Sequence, residues 1–280
     1  MLEVTGISKN FKNNQVLKEI NFKILDGESI AILGSNGAGK TTLIKIMLGL
    51  LLPTKGEVSF NNINIREIRS KYLNLIGVVL EGNRNIYWYL TPWENLNYFG
   101  CLLGIKKNDI KKRGKELLEL FDLSDVSNEK IDTFSRGMKQ KVAIIIALLN
   151  KPKILFLDEP TLGLDIITRN KLIDCLLKIK KEGTTIILTT HQLEIVDQIV
   201  DRSFFLKDGK LFLEKNQNNS LIFNEILIDI DLKKRGLITL IDGDYVQNLI
   251  IFLLENGEKI NSIVKRNKRL EDVFLETYRE

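Results

Sequence analysis

The chain has 280 residues, of which 44% are hydrophobic and 28% charged, and a formal net charge of +5. This length supports one full domain with a buried core and a smaller second one. No apolar run approaches the roughly 20 residues that span a bilayer, and the start Met1-Leu2-Glu3-Val4 lacks the basic-then-apolar pattern of a secretion signal. The basic residues are spread along the whole chain, which fits ordinary solvated lysine faces, or a nearby anionic membrane surface, better than a nucleic-acid interface. Cys101 and Cys175 have no metal-ligand spacing and read as free, buried thiols of a reducing compartment.

In chain order, residues 2 to 33 alternate like paired strands, with a turn around Lys12-Asn13-Asn14. The run Ser29 to Leu33 is wholly apolar after its first residue and reads as a buried strand. A glycine-rich turn follows, and then the apolar run Leu43 to Leu52 reads as a packed helix. Gly56 to Phe60 and Leu75 to Leu80 read as strands, and residues 91 to 150 as almost wholly helical. Lys153 to Leu157 and Thr184 to Thr189 are two more strands. Between them Ile166 to Lys181 carries helix periodicity, closed by Gly183. Strands alternating with helices imply a parallel sheet covered on both faces. Asn216 to Ser220 is the best linker. Beyond it, strands are expected at Ile226–Asp231, Leu237–Leu240 and Lys259–Lys265, and helices at Tyr245–Glu255 and Leu270–Tyr278. The expected fold is therefore α/β: a phosphate-loop NTPase core with a mostly parallel sheet, an antiparallel β-subdomain, a helical subdomain, and a small α+β C-terminal module.

The chemistry starts at residues 34 to 42. Gly34, Ser35, Asn36, Gly37, Ala38, Gly39, Lys40, Thr41 and Thr42 match the pattern G-x-x-x-x-G-K-[ST] between a strand and a helix. Glycines let the backbone fold tightly and turn its N–H groups onto phosphate oxygens. The helix that starts at Lys40 aims its positive end at the same oxygens. Lys40 is expected to reach the β- and γ-phosphates, and Thr41 to bind Mg²⁺. Hydrolysis also needs a metal carboxylate and a group that activates water. The apolar strand ending Leu157-Asp158-Glu159-Pro160 supplies both: Asp158 for Mg²⁺, Glu159 for the attacking water.

With these motifs in this order, residues 1 to 215 resemble the nucleotide-binding subunit of an ABC transporter, with a helical subdomain at about 82–150 and an accessory domain at 221–280. The resemblance implies the following roles. Phe134-Ser135-Arg136-Gly137-Met138 is similar to the family's signature Leu-Ser-Gly-Gly-Gln, with Arg136 and Met138 departing from the usual Gly and Gln. In the family this surface meets the γ-phosphate held by the opposite subunit, which implies a head-to-tail dimer sandwiching two ATP molecules. Asp165, in Thr161-Leu162-Gly163-Leu164-Asp165, is the acid of a dimer-contacting loop. His191, the one histidine of the chain, follows a strand where the family places a switch histidine. Phe11 stands where an aromatic ring stacks on adenine, the alternative being a core phenylalanine.

Glu81 occupies the place of a family glutamine that ligates Mg²⁺; its carboxylate is expected to ligate the metal through water or to swing away between states. Trp93 is expected inside the helical subdomain, and Tyr87 or Trp88 outside, near a groove for a membrane partner. The resemblance implies an ATP- and Mg²⁺-dependent ATPase, a homodimer or a heterodimer with a related subunit. It would drive a separate polytopic membrane permease from the cytoplasmic, inner face of the cell membrane. Export is favoured by Glu81 and by the tail Leu270-Glu271-Asp272-Val273-Phe274-Leu275. The alternatives are a factor acting on ribosomes or DNA, which usually has paired domains or long coiled coils, and the ATPase of a solute importer.

Overall fold

The computed structural model describes residues 1–12, 14–82, 86–192, 196, 198–216, 222–230, 236–241 and 260–269. It divides into two compact units, Met1–Asn216 and Gln217–Glu280. The first unit contains two sheets. In one, β1 (Leu2–Phe11), β2 (Asn14–Ile24), β4 (Lys55–Phe60) and β5 (Ile63–Asn64) pair antiparallel in the order β2-β1-β4-β5. Lys12, at φ 51, sits in the expected turn between the first two.

The second sheet has six strands in the order β10-β9-β3-β8-β7-β6. They are β3 (Ser29–Leu33), β6 (Ile76–Val79), β7 (Ile154–Asp158), β8 (Thr185–Thr190), β9 (Arg202–Lys207) and β10 (Lys210–Asn216). All pairings are parallel except that of β10 with β9. Strands β3, β7 and β8 are buried along their whole length, the signature of a sheet covered on both faces. Register then positions the chemistry. Leu33 lies opposite Thr190, and Asp158 opposite Thr189, so the three central strands end level at one edge. The residues that follow each strand, Gly34, Glu159 and His191, emerge side by side at the carboxyl edge, where open parallel sheets bind ligands.

The helices are α1 (Lys40–Met47), α2 (Arg69–Leu73), α3 (Pro92–Leu102), α4 (Lys107–Leu120), α5 (Arg136–Leu148) and α6 (Ile166–Lys181). The start of α3 is written in the sequence: Thr91 and Glu94 form a reciprocal capping box, and Pro92 takes the first helical position. Helix α6 ends at Lys181, with Gly183 at φ 91 just beyond it, as expected. One apolar cluster joins Leu2, Val4 and Phe22 of the first sheet to Ile30, Ile32 and Phe204 of the second and to Leu43, Ile44 and Met47 of α1.

Four expectations change. The helix expected from Leu43 to Leu52 ends at Met47, and Leu50 and Leu52 lie exposed beyond it. The stretch 91–150 is not uniformly helical, since residues between Leu120 and Arg136 form turns and one short 3₁₀ segment, Ile131–Thr133. Asn216 is the last residue of β10 and not part of a linker. Cys175 is buried but Cys101 is exposed on α3, because its helix turns that position away from the apolar stripe. In the second unit β11 (Ile222–Ile230), β12 (Gly236–Ile241) and β13 (Ile260–Arg269) form an antiparallel sheet in the order β12-β11-β13. The helices expected at 245–255 and 270–278 lie outside the described residues.

Candidate functional site

The glycine-rich loop leaves the end of β3 and enters α1 through Gly39, which caps the helix at φ 106, a conformation L side chains rarely adopt. Gly34 is fixed by space: a Cβ there would stand 2.5 Å from the Leu206 carbonyl oxygen. The first bond of the helix ladder runs from Leu43 N–H to the Gly39 carbonyl, 2.9 Å. The N–H groups of Lys40, Thr41 and Thr42 therefore precede the ladder. The first turn of α1 has no acidic residue, so its positive end stays available to an anion. Asn36 and Gly37 are exposed at the tip of the loop, and Ala38 N–H closes it on the Ser35 carbonyl at 3.2 Å.

Lys40 folds back over this loop. Its buried Nζ donates to the carbonyls of Gly34 (2.7 Å) and Ser35 (3.3 Å) and lies 3.3 Å from Glu159 Oε1. Thr41 Oγ1 donates to Asp158 Oδ2 at 3.0 Å. The other Asp158 oxygen accepts the hydroxyl of Thr189. Glu159 follows at φ 50, a left-handed conformation that is unusual for a residue with a side chain. Its N–H is held by Thr189, through both the carbonyl (3.1 Å) and the hydroxyl (3.2 Å). This turn directs the carboxylate to His191, whose Nδ1 lies 3.0 Å from Oε2 and 3.1 Å from Oε1. Lys40, Glu159 and His191, which are far apart in the chain, thus form one contiguous polar group.

Thr189 was not singled out by the sequence reading, yet it holds both acids. A signal existed: Thr189 and Thr190 are a polar pair that follows the apolar run Ile186-Ile187-Leu188 and closes a fully buried strand. Gln192 was also missed. It accepts the Thr161 hydroxyl at 3.0 Å, and its N–H donates to Thr190 Oγ1, tying the segment after β7 to the segment after β8.

The signature segment opens α5. Ser135 is exposed and caps the helix, its Oγ accepting Met138 N–H at 3.2 Å. Arg136 is exposed and Met138 half-buried, while Gly137 is buried where a Cβ would press on Thr168. Asp165 caps α6: Thr168 N–H donates to Oδ1 (2.9 Å) and Thr168 Oγ1 to Oδ2 (2.7 Å). The Thr168 backbone N–H is the main reason its carboxyl is held below the usual carboxylate range. Asp165 therefore already has a structural task in one chain.

Phe11 ends β1 and is 45% exposed, so it is not a core residue. Lys9 Nζ lies 4.9 Å from its ring centroid. The returning strand of the same hairpin brings Val16 and Leu17 against Gly39, which puts this hairpin beside the glycine-rich loop. Glu81 is exposed and lines a pocket of about 310 Å³ with Arg136, Lys139, Asp158 and Glu159. Tyr87 and Trp88 are exposed, as expected, and Tyr87 meets Tyr98 edge to face. Trp93 turns inward onto Gly114 of α4.

Comparison with known proteins agrees with this geometry. The family model described as "ABC transporter" matches residues 17–162. The chain belongs to the ABC transporter family. It is 34% identical over 215 residues to the ABC transporter ATP-binding protein NatA of Bacillus subtilis, covering 75% of this chain and 87% of NatA. It is also 34% identical over 234 residues to the lantibiotic transport ATP-binding protein SrtF of Streptococcus pyogenes, covering 82% of this chain and 99% of SrtF. Among solved structures, the dimeric post-hydrolysis state of the ATP-binding cassette MJ0796 bound to ADP and Pi superimposes with a TM-score of 0.71 at 30% identity. It covers 78% of this chain and all of that one. The fold is that of the phosphate-loop ABC cassette, and the protein is an ATP-binding ABC ATPase.

Proposed function

We propose that this ATPase is the motor subunit of a membrane exporter, acting as a dimer on a separate transmembrane protein. The observation that carries the catalytic assignment is the Lys40–Glu159–His191 group at the edge of the parallel sheet. Its donors and acid converge where the γ-phosphate of a nucleotide in the glycine-rich loop would lie.

Mg²⁺ fits the residues present. Among the described residues no cluster of three or more His, Cys, Asp or Glu could hold a metal alone. Thr41 Oγ1 and Asp158 are hard oxygen donors within 3.0 Å of each other beside the loop. Mg²⁺ takes this kind of site, one or two carboxylates completed by substrate phosphates and water. Thr41, Asp158 and Glu81 would hold it, and when bound it would neutralise charge on the β- and γ-phosphates. The protein's own residues do the rest. Lys40 exchanges its loop carbonyls and Glu159 for phosphate oxygens. Glu159 accepts a proton from the attacking water, and His191 Nδ1 holds that carboxylate in place.

Ser135 and Gly137 serve the nucleotide of a second copy, or of a related subunit, in a head-to-tail dimer with Asp165 at the contact. Phe11 stacks on the adenine. Closure of the dimer reshapes the membrane partner, whose docking groove takes in Tyr87 and Trp88. No helix among the described residues is long and apolar enough to cross a membrane, which agrees with translocation by another polypeptide. The working location is the inner face of the cell membrane. The C-terminal unit supports the dimer or regulates it. Export is supported by the likeness to SrtF and by Glu81.

The test is affinity purification from detergent-solubilised cells, with and without Mg-ATP. Recovery of a polytopic membrane protein together with a nucleotide-dependent dimer supports the reading. Recovery of ribosomes or DNA instead, or of a complex with a solute-binding protein, overturns the exporter assignment.

A further inference from the structure

Glu81 and Arg136 carry opposite charges. They are 55 positions apart in sequence, and they line the same pocket of about 310 Å³. Its other charged walls are already engaged. Glu159 pairs with Lys40 and His191. Asp158 accepts the hydroxyls of Thr41 and Thr189. Lys139 donates to the Asp132 carbonyl at 3.1 Å and covers the Trp88 ring at 4.9 Å. Among the described residues, Glu81 and Arg136 have no hydrogen-bond or ion-pair partner. One is an acid, the other a base, and both are exposed to the same space.

The Arg136 side chain also packs against the segment after β7. Its guanidinium lies over Gly163, where a Cβ would stand 2.7 Å from Cζ. Any side chain at position 163 would displace it. Leu162, the neighbour of Gly163, is itself a wall of the pocket, so the guanidinium rests at the pocket's edge within its own chain.

We propose that Glu81 and Arg136 are a compensating charge pair within one chain, the guanidinium neutralising the carboxylate that Glu81 brings beside the nucleotide's phosphates. This rests on the reading of the pocket as the phosphate site. The physical need is plain. A carboxylate beside a triphosphate repels it, the more strongly the lower the local dielectric. A neutral glutamine has no such cost and needs no arginine opposite. Arg136 thus acts as a positioning residue: it makes Glu81 tolerable when no metal is bound and leaves that carboxylate ready for the metal when it arrives.

The test is a mutant cycle on the full chain: wild type, Glu81→Gln, Arg136→Gly, both together, and Lys40→Ala. The first measurement is binding of a fluorescent ATP analogue to monomers in EDTA, where no metal contributes. Arg136→Gly is expected to weaken binding about fivefold when Glu81 is present, and less than about twofold in the Glu81→Gln background. The second is the Mg²⁺ concentration at half-maximal ATPase rate, expected to shift in each single variant and to return toward wild type in the double. Arg136→Gln serves as a second probe that keeps the helix start intact, and melting temperatures establish that each variant is folded. An equal loss in both backgrounds, or none in either, overturns the pairing. Normal binding by Lys40→Ala would instead overturn the phosphate-site reading itself, so the two failures are distinguishable.

Discussion

Glu159→Gln separates three roles of one carboxylate. Without nucleotide, Glu159 balances Lys40 across 3.3 Å, with only 5% and 7% of the two side chains exposed. At that distance the direct attraction is on the order of 5 kcal/mol for an effective dielectric constant of about 20. Much of it is offset by desolvation of the two ions, and breaking a buried pair typically costs about 3–5 kcal/mol. Here the loss is smaller, because Lys40 keeps the carbonyls of Gly34 and Ser35. The nucleotide-free variant is expected to be about 1–3 kcal/mol less stable in urea. ATP binding responds in the opposite sense. Lys40 is no longer held by an acid, so its ammonium reaches the phosphates at lower cost, and affinity rises. Turnover falls by a factor of about 10²–10⁴, the usual effect of losing a general base, which is about 3–5 kcal/mol of barrier. Together these give a dimer that forms with Mg-ATP and persists. The assays are urea unfolding without nucleotide, gel filtration with Mg-ATP, and phosphate release. Wild-type turnover in a protein that stays monomeric would refute the assignment of Glu159.

Other outcomes follow from the same geometry. Lys40→Ala removes the one ammonium at the loop and should weaken ATP binding itself, by about tenfold or more in equilibrium titration; normal hydrolysis by this variant would mean the loop has been misread. Ser135→Arg should leave ATP binding by monomers within about twofold while abolishing nucleotide-dependent dimers on gel filtration, since the residue faces solvent at a helix start and not its own glycine-rich loop. Glu81→Gln should remain an active ATPase with a shifted Mg²⁺ dependence, whereas Glu81→Ala should turn over more slowly; superimposable Mg²⁺ curves for both and wild type would place Glu81 away from the metal. Asp201 gives a pH test. Burial raises its pKa, but hydrogen bonds from Lys180 and Ser29 outweigh this and hold it below the ordinary value of 3.8. A depressed folded value contributes stability that is present above the unfolded pKa and is lost as pH falls through the folded one. Asp201→Asn should therefore be less stable than wild type at neutral pH, and the difference should shrink below pH 4 in urea titrations; a difference constant down to pH 3 would refute the linkage.

Much of the site was legible before any coordinates, because short-range chemistry is written in contiguous residues. The pattern Gly34 to Thr42 needs only its own spacing, and the acids Asp158 and Glu159 end an apolar run that can hardly be anything but a buried strand. The cap at Gly183 was legible for the same reason, since it acts within one helical turn. Long apolar runs fixed where most elements lie, to within a residue or two, since their period and length decide between helix and strand. The strands β9 and β10 and the turns after α4 escaped that reading, because their elements are set by partners elsewhere in the chain.

What the tertiary structure decided is adjacency. No spacing rule in the sequence predicts that Thr189 would hold both acids; that follows from register, which sets Asp158 opposite Thr189 and Leu33 opposite Thr190. The left-handed turn at Glu159, which directs its carboxylate to His191 and Lys40, is a strained conformation that only the surrounding sheet can impose. Phe11 is exposed, and the hairpin that bears it lies beside the loop, because β2 packs Val16 and Leu17 on Gly39. Glu81 and Arg136 share a pocket because α5 packs against β6, the strand that leads into Glu81. Sequence determines which groups can do chemistry, since that is a property of the side chains themselves. The fold determines which of them meet, since contacts between distant residues depend on register and packing that no local pattern encodes.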